Sequence, residues 1–354
     1  MKIAWISVAV FAIYLLLANP VIMDDGFHYE GFAEDLARGH LNFKDYYGFQ
    51  GLSFFTVPIY WLTHSSISII YTSMIFALLS IPLSYGIGKL PAVILFLLTP
   101  YPYMTMMRGF QESALMFFIL LIIYGAIHEK KWTGIAWGIS GVVKPFALVL
   151  FPLFKKRFTP LIIGVAILAI YGIANYAQTG HFVNLAATGA YSGVYDPSNV
   201  PELGKSFALD IKTWLRLGAN LFVPSRKIMI APLLVFLGAL SLWQTRREPW
   251  SRKVIYAVFL NILLVGPITY AFSKYLLPMT VLLGLSAIPL LLRYPILWAI
   301  VFVDSIWVFS ANYDFFGKNF WDPSIIALAP FVLAAILCIY YVIAHNSSDA
   351  QRIR

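Results

Sequence analysis

Trp132–Phe154 reads WTGIAWGISGVVKPFALVLFPLF, an apolar run with Lys144-Pro145 at its middle. By length it could cross a bilayer once, since a spanning helix needs about 20 mostly apolar residues. Two physical facts argue against a single crossing. A proline inside a helix removes a hydrogen bond and breaks or kinks the helix. A lysine at mid-membrane depth costs roughly 2.5–3.5 kcal/mol on insertion scales. The stretch is therefore expected to form two short helices that meet at one membrane face, with Lys144 at the bend.

That reading sets the sidedness of the rest of the chain. Apolar runs also occupy Ile3–Asn19, Ser66–Gly88, Leu90–Met104, Ser113–Ile127, Thr159–Ala177, Ile228–Trp243, Val254–Phe272, Tyr275–Leu292, Pro295–Ala311 and Ser324–Ala344. Together these give about twelve crossings. With Lys2 on the cytoplasmic side, alternation also puts Lys89, Lys130, Lys131, Lys155, Lys156, Arg157, Arg246, Arg247, Arg252, Lys253, Arg293, Arg352 and Arg354 inside. Only Glu129, Glu248 and Asp349 accompany them. Short loops rich in Lys and Arg on the cytoplasmic side are the expected bias of a membrane protein. Reading Trp132–Phe154 as one crossing would invert every later loop and destroy the pattern.

Composition agrees. The 354 residues are 60% hydrophobic and 12% charged, against about 25% charged in a soluble domain. The missing surface charge is what lipid-facing walls require, and the 17% aromatic content suits interfacial belts of Trp and Tyr. The formal charge of +9 is explained by the cytoplasmic loops, so a nucleic-acid partner is not expected and contact with membrane lipids is. The single cysteine, Cys338, excludes an internal disulfide and a cysteine-based metal site. The expected fold is an all-α, polytopic transmembrane helical bundle, one domain over residues 1–345, with a short cytoplasmic tail at 346–354. The opening run reads as a spanning helix, not a cleaved leader, and no internal repeat is visible. Outer loops are expected at about 21–63 and 178–227.

The first outer loop carries the chemistry. Asp24-Asp25-Gly26-Phe27-His28-Tyr29 follows the opening run, then Glu30, Glu34, Asp35 and Gly39-His40. A helix over 27–38 would put Glu30, Glu34 and Arg38 on one face and Phe32 and Leu36 on another, as in a helix lying in the interface. One aspartate can cap that helix, and the later acids read as solvated. Two adjacent aspartates at a membrane exit cost more than capping needs, because like charges crowd near a low dielectric. Such a carboxylate suits a general base that takes a proton from an incoming hydroxyl.

Here the sequence resembles the C-type glycosyltransferase superfamily, which includes protein O-mannosyltransferases and the lipid A aminoarabinose transferase. The resemblance rests on Asp24-Asp25, then Ala33-Glu34-Asp35-Leu36-Ala37-Arg38-Gly39-His40, Asp45-Tyr46-Tyr47, Gly51 and Pro58. It extends through Val143-Lys144-Pro145, Leu221-Phe222-Val223-Pro224-Ser225-Arg226 with Ala231-Pro232, and Lys274-Tyr275-Leu276-Leu277-Pro278. It implies transfer of a sugar from a polyprenyl-phosphate donor to a glycan, lipid or protein acceptor hydroxyl. The reaction would occur on the extracytoplasmic face of a prokaryotic cytoplasmic membrane, with Asp24 or Asp25 as the catalytic acidic residue.

The leaving lipid phosphate needs cations or hydrogen-bond donors. Arg108, Lys144, Arg226, Lys227 and Lys274 share the outer side with the aspartates, and Tyr275 accompanies Lys274. Arg108 and Glu112, four apart at a helix start, read as a pair. No cofactor is required by this scheme. A divalent metal would find His28 and Asp25 three positions apart, a thin ligand set, with a partly exposed interfacial histidine as the plainer reading. Asp304, inside a late run, is expected to bond a neighbouring helix. The competing class is a transporter or lipid flippase, which the scarcity of polar residues along the spans disfavours.

Overall fold

The computed structural model describes residues 2–22, 25–46, 48–154, 158–182, 215, 231–266, 273–311, 320 and 324–352. These fold into thirteen α-helices joined by 3₁₀ turns, with no strand among the described residues. They are α1 (Lys2–Leu16), α2 (Asp25–Ala37), α3 (Gly51–Thr63), α4 (Ser68–Leu97), α5 (Tyr101–Thr105), α6 (Glu112–Ile127) and α7 (Thr133–Val143). Then follow α8 (Phe158–Thr179), α9 (Pro232–Gln244), α10 (Pro249–Val265), α11 (Leu277–Arg293), α12 (Ile296–Ala311) and α13 (Ala329–Arg352).

Among the described residues, three segments are long and apolar enough to cross a membrane unaided: Ser68–Leu97, Phe158–Thr179 and Ile325–Ala344. That count is smaller than the twelve crossings expected from the apolar runs. The runs are present, but the helices inside them are cut short. α6, α11 and α12 have 16, 17 and 16 residues, which at 1.5 Å per residue falls short of a ~30 Å hydrocarbon core. α7 has 11 residues. It ends where Lys144 turns extended (φ −154°, ψ 131°) and Pro145 opens the 3₁₀ segment Pro145–Leu153. The break expected at Lys144-Pro145 is therefore real.

The segments pack by running back along one another. α4 is broken at Gly88 (φ −134°, ψ 20°) and Lys89 (φ 58°, ψ −149°), so its limbs 68–87 and 90–97 point differently. At one end Ser113 Oγ of α6 donates to the Ser73 carbonyl at 3.1 Å. At the other, Gly86 rests against the Tyr124 ring of α6. The Pro145–Leu153 turn folds back on α7, where Trp137 Nε1 donates to the Leu148 carbonyl at 3.1 Å.

Burial divides the helices by role. α6 is inside, with Leu115, Ile119, Leu120, Ile122 and Ile123 all at 2% exposure or less. α8 packs one face on α7 and exposes Ile162, Val165, Ile170 and Ile173. Apolar side chains on an outer wall are stable against hydrocarbon and costly against water, which is the signature of a membrane-embedded bundle.

Two buried carboxylates hold helix ends. Glu30 of α2 is 4% exposed and accepts from the Ile69 amide at 2.6 Å. It thereby supplies the cap that Ile67 cannot, in the first turn of α4. The expectation that Glu30 is solvated is thus incorrect: a partner helix covers it. Burial pushes its carboxyl up to about 7, opposed by the Ile69 and Ser68 amides. Asp304 of α12, expected to bond a neighbour, accepts from the Leu233 and Leu234 amides at 2.8 and 3.4 Å and so caps α9.

Candidate functional site

The site grows from the first turn of α2. Asp25 is the first residue of that helix, where a carboxylate is favoured by the partial positive charge of the N-terminus. Gly26 lies against the Arg108 carbonyl and within 3.1 Å of the Gly109 Cα position, measured from where a Cβ would stand. A larger residue would push the two segments apart. The absent side chain thus brings Asp25 beside the turn that leads into α6.

That turn delivers two polar residues into the interior. Gln111 is fully buried and its Nε2 donates to the Phe49 carbonyl at 2.8 Å. Glu112 is also fully buried, and its Oε1 accepts from Lys144 Nζ. Lys144 comes from the break after α7, where its extended backbone aims the side chain inward; only 11% of that side chain is exposed. Among the described residues, Glu112 Oε2 and Gln111 Oε1 have no hydrogen-bond partner.

Tyr29, one turn after Asp25 on α2, joins them. It is 8% exposed. Burial raises its phenol well above the ordinary range, with Asp25 and Glu112 adding to the shift and a hydrogen bond with Gln111 opposing it. Tyr275 completes the cluster from the turn before α11. Its ring stacks on Phe146 at 4.4 Å and 19°, and it lies in the field of Lys144, Asp25 and Glu112. His28 is 6% exposed, not partly exposed as its interfacial position implied. Burial lowers its pKa, and Asp25 opposes that shift.

Of the residues expected from sequence, Glu112 and Lys144 are therefore in contact, and Tyr275 lies in their field and in that of Asp25. Arg108 takes part differently. Its guanidinium sits 5.8 Å from the Phe110 ring centre, and Glu112 pairs with Lys144, not with Arg108. The expected i,i+4 pair gives way because Glu112 opens α6 facing the interior, while Arg108 precedes it in the 3₁₀ turn Met106–Arg108. Asp24, Arg226 and Lys227 lie outside the described residues. Lys274 falls in the turn Ser273–Leu276, its side chain outside them too. Tyr29 and Gln111 were missed by sequence reasoning. The signal for Tyr29 was its spacing of four from Asp25, which puts both on one face of a helix.

Among the described residues no group of three or more His, Cys, Asp or Glu side chains could hold a metal ion. Asp25 and His28 alone fall short of the four or more ligands such sites use. Chemically, the cluster offers a carboxylate for a proton, an ammonium for an anion, and two buried acceptors for hydroxyl donors. Comparison with protein-family models, curated proteins and solved structures finds no match.

Proposed function

We propose that this chain is a membrane glycosyltransferase of the C-type kind. It moves a sugar from a polyprenyl phosphate to an acceptor hydroxyl, with Asp25 or Asp24 as general base. The observation that carries the reading is the convergence of Asp25, Tyr29, Glu112, Lys144 and Tyr275 from four separate segments. The resemblance of the sequence motifs supplies the donor class.

In this scheme the acceptor oxygen attacks the anomeric carbon as its proton passes to the aspartate. The carbon–oxygen bond to phosphate breaks, and polyprenyl phosphate leaves with the electron pair from the opposite face, inverting the centre. A positioned base contributes about 10²–10⁴ in rate. An ammonium has three N–H donors. Glu112 takes one from Lys144, and the rest are available to the leaving phosphate. Asp25 and Glu112 outweigh Lys144 in charge, so the phosphate needs a further cation, for which Arg108, Arg226 and Lys274 are the candidates.

The proposal includes the topology. Short helices, extended by 3₁₀ turns and breaks such as Lys144 and Gly88-Lys89, complete about twelve passes. The N-terminus is then cytoplasmic and the aspartates are extracytoplasmic, in a prokaryotic cytoplasmic membrane.

The test is release of polyprenyl phosphate from a polyprenyl-phosphate sugar by the reconstituted protein, with glycan, lipid and peptide acceptors. Replacing both Asp24 and Asp25 by Asn is expected to abolish release without altering insertion. Undiminished release in that double variant would rule out the base. Flux of the donor across vesicles without product would favour the transporter reading.

A further inference from the structure

At the far end of α6 from the Asp25 cluster lies a cavity of about 300 Å³. Gly88, at the break in α4, lines it together with Ile123, Leu242, Trp250, Leu282 and Ser286. A space of that size could hold about ten waters at ~30 Å³ each, but each would need two to four polar partners. The walls provide few. Thr245 Oγ1 is engaged with the Ser241 carbonyl and with Ser251 at 3.0 and 2.8 Å. Ser286 Oγ donates to the Leu282 carbonyl at 2.7 Å. A hydrocarbon chain satisfies such walls where water does not.

The charged residue that lines the cavity is the Glu248 carboxylate, and the segments around it are basic on balance. Its lining includes Gly88, Thr245 and Glu248, and the residues between and beside these are Lys89, Arg246 and Arg247. Arg246 is anchored by a bond to the Trp243 carbonyl at 2.7 Å and by the Trp243 ring at 4.5 Å. Apolar walls, with three cations outnumbering the Glu248 carboxylate in the adjoining segments, complement a ligand that has an apolar chain and an anionic head. In the topology proposed above, the mouth faces the cytoplasmic leaflet, whose anionic lipids attract such basic segments.

We propose that this cavity is a specific site for an anionic phospholipid, one acyl chain filling the space and the phosphate headgroup held at the Lys89 and Arg246-Arg247 turns. The site is separate from the Asp25 cluster, so it rests on the topology proposed above and not on the transferase chemistry.

The test is native mass spectrometry of the detergent-purified protein titrated with dioleoyl phosphatidylglycerol, dioleoyl phosphatidylcholine or glycerol phosphate. The wild type is expected to retain one phosphatidylglycerol, bound at least about tenfold more tightly than phosphatidylcholine, a difference of ~1.4 kcal/mol. Ser286→Phe, which fills the cavity, should lose retention of both lipids. Arg246→Gln with Arg247→Gln, changes on an exposed turn that leave the core intact, should keep binding but lose the preference. Equal retention of the two lipids by the wild type would overturn the proposal. So would an unchanged preference in the arginine variant, or retention in Ser286→Phe equal to wild type. Displacement of the lipid by glycerol phosphate would show that the headgroup alone is read and would overturn the acyl-chain assignment.

Discussion

Lys144→Met isolates the ion pair at the centre of the site. The substitution keeps the apolar stem of the side chain and removes the terminal ammonium with its charge and N–H donors. Glu112, at 0% exposure, is then left without its ammonium, and its second oxygen already has no partner among the described residues. Two unit charges about 4 Å apart at an effective dielectric near 20 attract by about 4 kcal/mol. Removing one partner of a buried pair typically costs about 3–5 kcal/mol. The two numbers agree because the uncompensated carboxylate cannot reach water. The double variant Glu112→Gln with Lys144→Met removes both charges, and much of the loss should return. Unfolding in mild detergent, followed by tryptophan fluorescence across a denaturant series, gives all corners of the cycle. A coupling of about 2–3 kcal/mol is expected. A cost below about 1 kcal/mol for Lys144→Met, with additive single effects, would refute the reasoning, because that is how an exposed pair behaves.

The other structural claims can be checked separately. Glu30 holds its proton to about pH 7 when folded and releases it near 4.5 when free, so the folded state binds more protons between these values. Its contribution is complete below pH 4.5 and is lost as pH rises through 7. Glu30→Gln should flatten that part of the stability–pH curve, and an unaltered slope would contradict the assignment. Asp304→Ala strands the Leu233 and Leu234 amides. It should cost about 1–3 kcal/mol in unfolding free energy, while Asp304→Asn, which keeps an acceptor oxygen, should cost less. Gly238→Ala sets a methyl against the Leu283 carbonyl. It should lower the thermal midpoint through overpacking worth about 1–3 kcal/mol; an unchanged midpoint would show that α9 and α11 are not in that contact.

How far the sequence could be read depended on the range of each interaction. The break at Lys144-Pro145 was legible because proline geometry and the cost of a buried lysine are local. The inward turn of Lys144 was half legible: an intramembrane charge marks itself, but its partner lies 32 residues away. The rule that residues four apart meet on a helix paired Glu112 with Arg108 instead of Lys144, and it failed because Arg108 precedes the helix. Glu30 was misread for a related reason. Periodicity along α2 cannot show that the first turn of α4, 39 residues on, needs an acceptor there. Apolar runs gave the bundle but not its helix lengths, since tertiary packing allows short helices and 3₁₀ turns where an isolated span would not survive.

Turnover of a polyprenyl-phosphate sugar by Asp25→Asn tests the role of Asp25 most directly. The exchange removes the proton acceptor while keeping the shape of the first turn of α2. If Asp25 is the base, release should fall by at least about 10²-fold while binding of the donor, read by protection of tryptophan fluorescence, stays as in the wild type. Wild-type release by Asp25→Asn, with Asp24 also replaced, would contradict it.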